Sequence, residues 1–186
     1  METVAPCGWR GFKSLVVEPS LQAMATVAAY IDLNAVRSEQ VEDPADYRFC
    51  SYAAAMGGKA SAMAGYRLIY GGRPFSEAIA AYRLCMFGKG AKPKGELDKD
   101  RGVIPLDKLD DVIRRGGKVE VSELLRRRVR YFSDGMGIGS KCFLKGLYEE
   151  NRECFPDSRK ARFASMKGSD WGGLQVVRDL KVDLFG

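Results

Sequence analysis

The chain has 186 residues, of which 46% are hydrophobic and 29% are charged, as expected for a soluble globular protein of one domain or two small ones. Its net charge of +6 favours an anionic partner, of which nucleic acid is the commonest, because clustered Lys and Arg release counterions from phosphates. The sequence contains no histidine. This excludes Ser-His-Asp catalysis, Cys-His catalysis and imidazole metal sites, unless another chain supplies the missing group.

The five cysteines are widely spaced and form no Cys-x-x-Cys pair, so neither a zinc ribbon nor a disulfide framework is predicted. We expect free thiols in a reducing cytoplasm. The first eleven residues show no signal-peptide pattern, and no apolar stretch is as long as a membrane span. We therefore expect no membrane partner.

The first half predicts one strand followed by helices. Residues 11–18 are β-branched at their end and stop at Pro19, which is typical of a strand. A lone strand needs a neighbour, so it either pairs with the far end of this chain or belonged to a sheet that has been lost. Ser20 is a good N-cap for a helix over residues 21–33.

Further turn and helix signals follow in the first half. Asp43 and Pro44 predict a new turn, with the aspartate as its cap. A short helix is expected over residues 51–56, before a Gly-Gly pair, and another over residues 75–87.

A Gly-, Lys- and Pro-rich stretch then separates the two halves. We predict a first domain over residues 1–88, a linker over 89–103 and a basic helical domain over 104–186.

The second half predicts three helices and an extended tail. They cover residues 105–115, 121–132 and 140 to about 154, and a Gly-rich loop over residues 135–139 separates the last two. The tail, residues 174–182, is expected to form one short strand or two. The fold class predicted from all these signals is mainly α, with a few short strands.

The densest positive charge lies on the second of these helices. Leu124, Leu125, Val129 and Phe132 give it an inward stripe, so the predicted DNA-binding residues of the outer arc are Arg126, Arg127 and Arg130. The alternative is a solvated face paired with nearby acidic residues.

The order helix, Gly-rich loop, capped helix is similar to a helix-turn-helix unit. The helix that begins after Ser140 would offer its N-terminal N–H groups to a phosphate, reinforced by Lys141 and Lys145. The Gly-x-Gly-x-Gly pattern at residues 135–139 is also similar to a nucleotide-phosphate loop. No predicted strand precedes it and no lysine follows at the required spacing, which argues against that interpretation.

A specific resemblance spans the first helix and the turn after it. Ala29-Tyr-Ile-Asp-Leu-Asn-Ala-Val-Arg37, followed by Val41-Glu-Asp-Pro-Ala-Asp-Tyr-Arg-Phe-Cys-Ser-Tyr52, resembles the tyrosine-helix region of the REP-associated tyrosine transposases, within the HUH single-tyrosine group. Gly11-Phe-Lys-Ser14 resembles the preceding strand. Arg128–Gly135, Gly139-Ser140 and Trp171–Leu174 are similar to the carboxy-terminal extension of long members.

The resemblance implies a chemistry. A helix-borne tyrosine attacks a DNA phosphate and holds the strand as a 5′-phosphotyrosine, while two histidines hold a divalent metal, Mg²⁺ or Mn²⁺. Tyr30 matches that nucleophile, Asn34 matches the polar metal-site position one turn later, and Arg37 matches a residue near the DNA. The spacing of four places Tyr30 and Asn34 on one helix face.

The departures from the family imply an incomplete enzyme. The histidine pair is absent, and Ala35 stands where the family has proline. The chain is then the C-terminal half of a ferredoxin-like α/β domain, followed by a helix-turn-helix-like domain. We expect no strand transfer by this chain alone and no bound metal, because Asn34 is a single ligand.

Three functions stay open at this point. The first is a truncated transposase that still binds DNA, preferably single-stranded or hairpin, in the cytoplasm at the bacterial nucleoid. The second is a stand-alone DNA-binding regulator derived from one. The third is an interaction domain whose basic charge is incidental. The sequence leaves the oligomeric state open.

Overall fold

The computed structural model describes residues 15–88, 114, 120–126, 132, 137–154 and 163–177. The fold is mostly helical with a small mixed sheet of four strands, which confirms the predicted mainly α class. The helices are α1 Leu21–Asp32, α2 Asn34–Arg37, α3 Ser51–Met56, α4 Ala60–Ile69, α5 Phe75–Phe87, α6 Val121–Leu125 and α7 Lys141–Glu150, with 3-10 turns at Pro44–Asp46 and Arg152–Cys154. The strands are β1 Val16–Val17, β2 Gly137–Gly139, β3 Phe163–Ser165 and β4 Gln175–Val177.

The predicted caps set the starts of the helices. Ser20 Oγ accepts from the N–H of Ala23 at 3.4 Å, and Ser140 Oγ accepts from that of Phe143 at 3.2 Å. Asp43 Oδ1 accepts from the N–H of Ala45 at 2.8 Å and begins the 3-10 turn. Each side chain satisfies an N–H that has no partner inside its helix or turn. The helices predicted over residues 51–56 and 75–87 are confirmed.

Helix α4 was not predicted from the sequence. Its N-cap is Lys59, which makes no side-chain cap hydrogen bond, and its first six residues are small except for Met63. Gly65 lies inside it and weakens the intrinsic helical preference. The helix is stabilised instead by tertiary packing, with Tyr66 buried against its neighbours.

The prediction of a Gly-rich loop over residues 135–139 is partly wrong. Residues 137–139 form β2, an inner strand of a sheet ordered β1-β2-β4-β3. Strand β1 runs parallel to β2, with Val16 opposite Gly137 and Val17 opposite Ile138. The first strand therefore pairs with the distant half of the chain, which decides between the two alternatives left open by the sequence.

The glycines of β2 are explained by close packing. A Cβ built on Gly137 would lie 2.7 Å from Leu147 Cδ2, and one built on Gly139 would lie 2.6 Å from Glu18 Cβ and 2.8 Å from Phe143 Cδ1. Contacts that short do not occur between carbon atoms, so only glycine lets α7 and β1 approach the strand this closely. The Gly-x-Gly spacing thus serves strand–helix packing.

The basic helix predicted over residues 121–132 is shorter than expected. Helix α6 ends at Leu125, and Arg126 forms the C-terminal cap rather than lying inside the helix. Residues 127–131 lie outside the described residues. So do the predicted linker and all of the helix predicted over 105–115 except Arg114, which is helical.

One hydrophobic core contains residues from both halves of the chain. Its members from the first half come from α1 to α5, and those from the second half include Leu125, Ile138, Trp171, Leu174 and Val176. A smaller cluster under α7 is built on Leu144 and Val177. The predicted boundary at 89–103 stays a prediction. No helix in the described ranges has the length and hydrophobicity needed to cross a bilayer.

Replacing Gly139 by alanine should lower the free energy of unfolding by about 1–3 kcal/mol, because the new methyl group overlaps Glu18 and Phe143. The measurement is urea unfolding followed by far-UV circular dichroism. The matched control is Gly146→Ala in α7, where a Cβ meets nothing within 4 Å. That change should instead stabilise the protein by roughly 0.5–1 kcal/mol. Equal effects at the two positions would contradict the packing role of β2.

Candidate functional site

Both faces of the Tyr30 ring are in contact with other side chains. It lies half-buried on α1, and its ring stacks on Phe132 with centroids 4.3 Å apart and an interplanar angle of 24°. The guanidinium carbon of Arg37 lies 3.8 Å from the ring centroid. This aromatic stack and cation–π contact fix the orientation of the phenol.

Arg37 makes its hydrogen bonds inside the protein. Its Nη1 donates to the carbonyl of Leu125 at 2.7 Å, and its Nη2 donates to the carbonyl of Tyr30 at 2.6 Å. Leu125 is the last residue of α6, so Arg37 satisfies a carbonyl at the C-terminal end of that helix. Burial lowers the pKa of Arg37, and the neighbouring Tyr30 partly opposes that change. The structure therefore places Arg37 as a tie between α1 and α6.

Asn34 completes the group that the resemblance singled out. It is exposed, at the start of α2, and its Oδ1 lies 3.5 Å from Nη2 of Arg37. Tyr30, Asn34 and Arg37 are thus brought together in space. A guanidinium beside the amide oxygen disfavours a divalent cation there by charge repulsion. The described residues contain no group of three His, Cys, Asp or Glu side chains suited to a metal, so the residues present do not fit the family's metal ion.

Besides Arg37, the structure describes three of the predicted basic residues. Arg126 is half-buried, with its guanidinium 5.8 Å from the ring centroid of Phe87. Lys141 and Lys145 are exposed on α7, where Lys145 Nζ lies 3.6 Å from Glu149 Oε1. Arg127 and Arg130 lie outside the described residues. Within the part of the chain that the structure describes, the exposed basic side chains of the predicted set are therefore the two lysines of α7.

The N-terminal end of α7 already has a carboxylate. Glu18 Oε1 accepts from Ser140 Oγ at 2.7 Å, and its Oε2 accepts from Ser140 N at 2.9 Å and Ser20 Oγ at 3.2 Å. Burial raises the pKa of Glu18, but the hydrogen bonds from Ser140 and Ser20 outweigh it and leave the pKa below its usual value. A side chain of the protein itself therefore lies where a phosphate was predicted.

Sequence reasoning missed Asp32, a buried side chain that accepts four hydrogen bonds. It is 1% exposed, and its Oδ2 accepts from the hydroxyls of Tyr66 at 2.7 Å and Tyr82 at 2.5 Å. Its Oδ1 accepts from Ser51 Oγ at 3.0 Å and from the N–H of Tyr52 at 3.3 Å. One buried carboxyl group therefore connects α1 with α3, α4 and α5. A buried charge needs such partners to be tolerated.

The tyrosines around Asp32 are hydrogen-bond donors rather than nucleophiles. Burial and the neighbouring Asp32 raise the pKa values of Tyr66 and Tyr82 well above the ordinary value for a phenol. The Tyr52 hydroxyl in turn accepts from the guanidinium of Arg83. The Cys85 thiol is similarly unreactive, since burial raises its pKa to about 11. The group of tyrosines around Asp32 is therefore structural, and Tyr30 stays the candidate reactive phenol.

No protein-family profile, curated protein or solved structure matches this chain. The transposase resemblance therefore rests on the sequence motifs around Tyr30 and in the second half of the chain, and the function that it implies is a proposal.

Glu18→Gln should lower the melting temperature at neutral pH, because the amide weakens the charge-assisted bonds to Ser140. Since the folded pKa is depressed, the stabilisation is present above the usual value of 4.5 and is lost as the pH falls through the lower folded value. The two melting curves should therefore approach each other in acid. The control is Glu42→Gln. Glu42 is an exposed loop residue, so its replacement should change the free energy of unfolding by less than about 0.5 kcal/mol. A difference that is constant across pH would contradict the assignment.

Tyr82→Phe should destabilise the fold by about 1.5–3 kcal/mol, the range for a hydrogen bond to a charged group. Tyr30→Phe is the matched control, since it removes the same atom from a half-buried ring held by stacking, and should change stability by less than about 0.5 kcal/mol. Both values come from chemical denaturation. A smaller loss of stability for Tyr82→Phe than for Tyr30→Phe would contradict the structural role of Tyr82.

Proposed function

We propose that this chain binds DNA, preferably single-stranded or hairpin DNA at the nucleoid, as the carboxy-terminal part of a single-tyrosine transposase. Tyr30, Asn34 and Arg37 are the residues that the family places near the DNA strand, and they form one contiguous group. That juxtaposition is the observation that carries the proposal. It places Asn34 and the Tyr30 ring beside one guanidinium, that of Arg37.

Charge is divided unequally between the two halves. Residues 15–88 contain six Lys or Arg and seven Asp or Glu, whereas residues 89–186 contain 22 Lys or Arg and 16 Asp or Glu. The excess positive charge therefore resides in the second half. We assign the phosphate contacts that supply affinity to this half, with Lys141 and Lys145 as accessible members.

We propose that the chain does not transfer DNA strands alone. Its sequence has no histidine to hold a metal, and Asn34 lies beside a guanidinium. The clamped ring of Tyr30 is oriented, but nothing in the described residues polarises a phosphate for it to attack. Tyr30 and Asn34 then act as DNA contacts inherited from an intact enzyme.

The finer fold assignment is part of the same proposal. We take β1 and α1 as the end of a ferredoxin-like domain. We take α6 and α7 as the helix pair of a DNA-binding unit. Strand β2 lies between them, so this pair departs from a simple helix-turn-helix.

A second candidate is a stand-alone regulator or interaction domain derived from a transposase. One observation favours it: Arg37 is committed to carbonyls of the protein, and α1 shares its core with the second half. A tyrosine helix used in this way is part of a self-contained fold. Binding of DNA separates a regulator from a non-DNA interaction domain.

The test is a salt-dependent binding titration of the chain against single-stranded, hairpin and duplex DNA. We expect binding that weakens steeply with salt and prefers the hairpin or single strand. Lys141→Ala with Lys145→Ala should reduce the slope of log K against log salt by about one for each phosphate interaction that the substitutions remove. Lys59→Ala is the control, an exposed lysine of the first half whose replacement should leave the slope unchanged. No binding to any DNA at low salt would overturn the proposal.

A further inference from the structure

The Tyr30 ring is covered by two planar groups of different character. The ring of Phe132 stacks on it with centroids 4.3 Å apart and an interplanar angle of 24°, and the guanidinium carbon of Arg37 lies 3.8 Å from its centroid. Two groups this close to one ring centre cannot share a face, because their van der Waals surfaces would overlap. Tyr30 is therefore the middle layer of a stack of three.

Arg37 and Phe132 are held in this stack to different degrees. The Arg37 guanidinium donates hydrogen bonds to the carbonyls of Leu125 and Tyr30, at 2.7 and 2.6 Å, and both would be lost if it moved away. The phenyl ring of Phe132 forms no such bond. It is partly buried and contacts the ring of Tyr30 and, edge-on with centroids 6.1 Å apart, the ring of Trp171. Another flat aromatic group can therefore replace Phe132, whereas Arg37 stays in place.

We propose that Phe132 occupies the position of an unpaired nucleobase, and that one base of a single-stranded DNA displaces it and stacks on the Tyr30 ring. The inference rests on the proposed DNA binding and names the part of the DNA that this site recognises. Stacking on an aromatic side chain tolerates any base, since every base presents a π face. The face of Tyr30 under Phe132 is thus a base-stacking site that the protein itself fills.

The charges beside the Tyr30 ring suit this ligand. The Arg37 guanidinium lies on the opposite face and remains there when a base replaces Phe132, so its positive charge favours the phosphates that accompany the base. Asn34 is exposed beside the same guanidinium, and its amide has two N–H donors for a base edge or a phosphate. The carboxylate of Asp32 is buried among donors from α3, α4 and α5, which compensate its charge within the core.

A site of this kind discriminates between forms of DNA. A base in a duplex is stacked on its neighbours and must be turned out of the helix, at a cost, before it can reach a side chain. Bases of a single strand or a hairpin loop are open to stacking. Because Phe132 competes with the incoming base, it weakens the binding of a single strand. Phe132 is then an autoinhibitory side chain, and its removal should strengthen binding.

The experiment is a fluorescence-anisotropy titration of the full chain with three probes. They are a labelled oligothymidylate, an abasic strand with the same number of phosphates, and a duplex of the same length. Phe132→Ala should lower the dissociation constant for oligothymidylate by about 2- to 10-fold, because one aromatic pair no longer competes, and should leave the other two unchanged. Adding Tyr30→Ala to that variant should raise the constant by about 5- to 100-fold, since the stacking surface itself is lost.

The matched control is Phe75→Ala, which truncates another partly buried ring packed against the same core and should leave all three dissociation constants unchanged. Circular dichroism checks that each variant is folded. A second measurement keeps the Phe132 ring intact. In a Trp9→Phe background Trp171 is the sole tryptophan, and displacement of Phe132 should change its emission on binding of oligothymidylate but not of the abasic strand.

Three results would overturn the inference. They are a Phe132→Ala protein that binds oligothymidylate no more tightly than the unaltered chain, an equal gain in affinity for the abasic strand, and a Trp171 emission that is the same with both strands. In each case binding through phosphates, and with it the proposed function, would stand. Absence of binding to every probe would instead overturn the proposed function together with the stacking site.

Discussion

The helical part of this protein depends on the burial of one carboxyl group. Asp32 accepts from two phenols, one hydroxyl and one backbone N–H, and the donors come from three helices other than its own. Removing a partner would leave an uncompensated charge in the core, which costs far more than the net value of a single hydrogen bond. Asp32 lies between Tyr30 and Asn34 in the chain, so the segment that carries both residues is anchored to three other helices.

A second constraint joins the beginning of the chain to its later half. Strand β1 pairs with β2, and Glu18 follows it directly to bind the start of α7. Gly137 and Gly139 make this approach possible, because any larger residue would separate the strand from α7 and β1. Arg37 adds a third tie through the carbonyl of Leu125. The two halves differ in charge but contribute residues to the same hydrophobic core.

The sequence predicted those elements whose signals are local. Ser20, Asp43 and Ser140 were correctly identified as caps because an N-terminal cap depends on a few consecutive residues. Helix α4 was not predicted because it has no side-chain cap and includes Gly65, so packing rather than propensity stabilises it. Residues 135–139 were assigned to a loop since glycine usually marks a turn, whereas β2 needs glycine for close approach. The Asp32 network was out of reach, because its partners are 19 to 50 residues away in sequence.

The candidate site shows the same division between local and distant information. The spacing of four predicts one helix face for Tyr30 and Asn34, but α1 ends at Asp32 and Asn34 begins α2. That Arg37 turns back over the Tyr30 ring, and that Phe132 covers the other face, depends on contacts across the fold. These contacts give the tyrosine a fixed orientation without the metal chemistry that an active transposase requires. An orientation held by packing does not depend on a metal ion, because the residues that hold it also pack against the core. The proposed role of Tyr30 as a DNA contact needs only this fixed orientation.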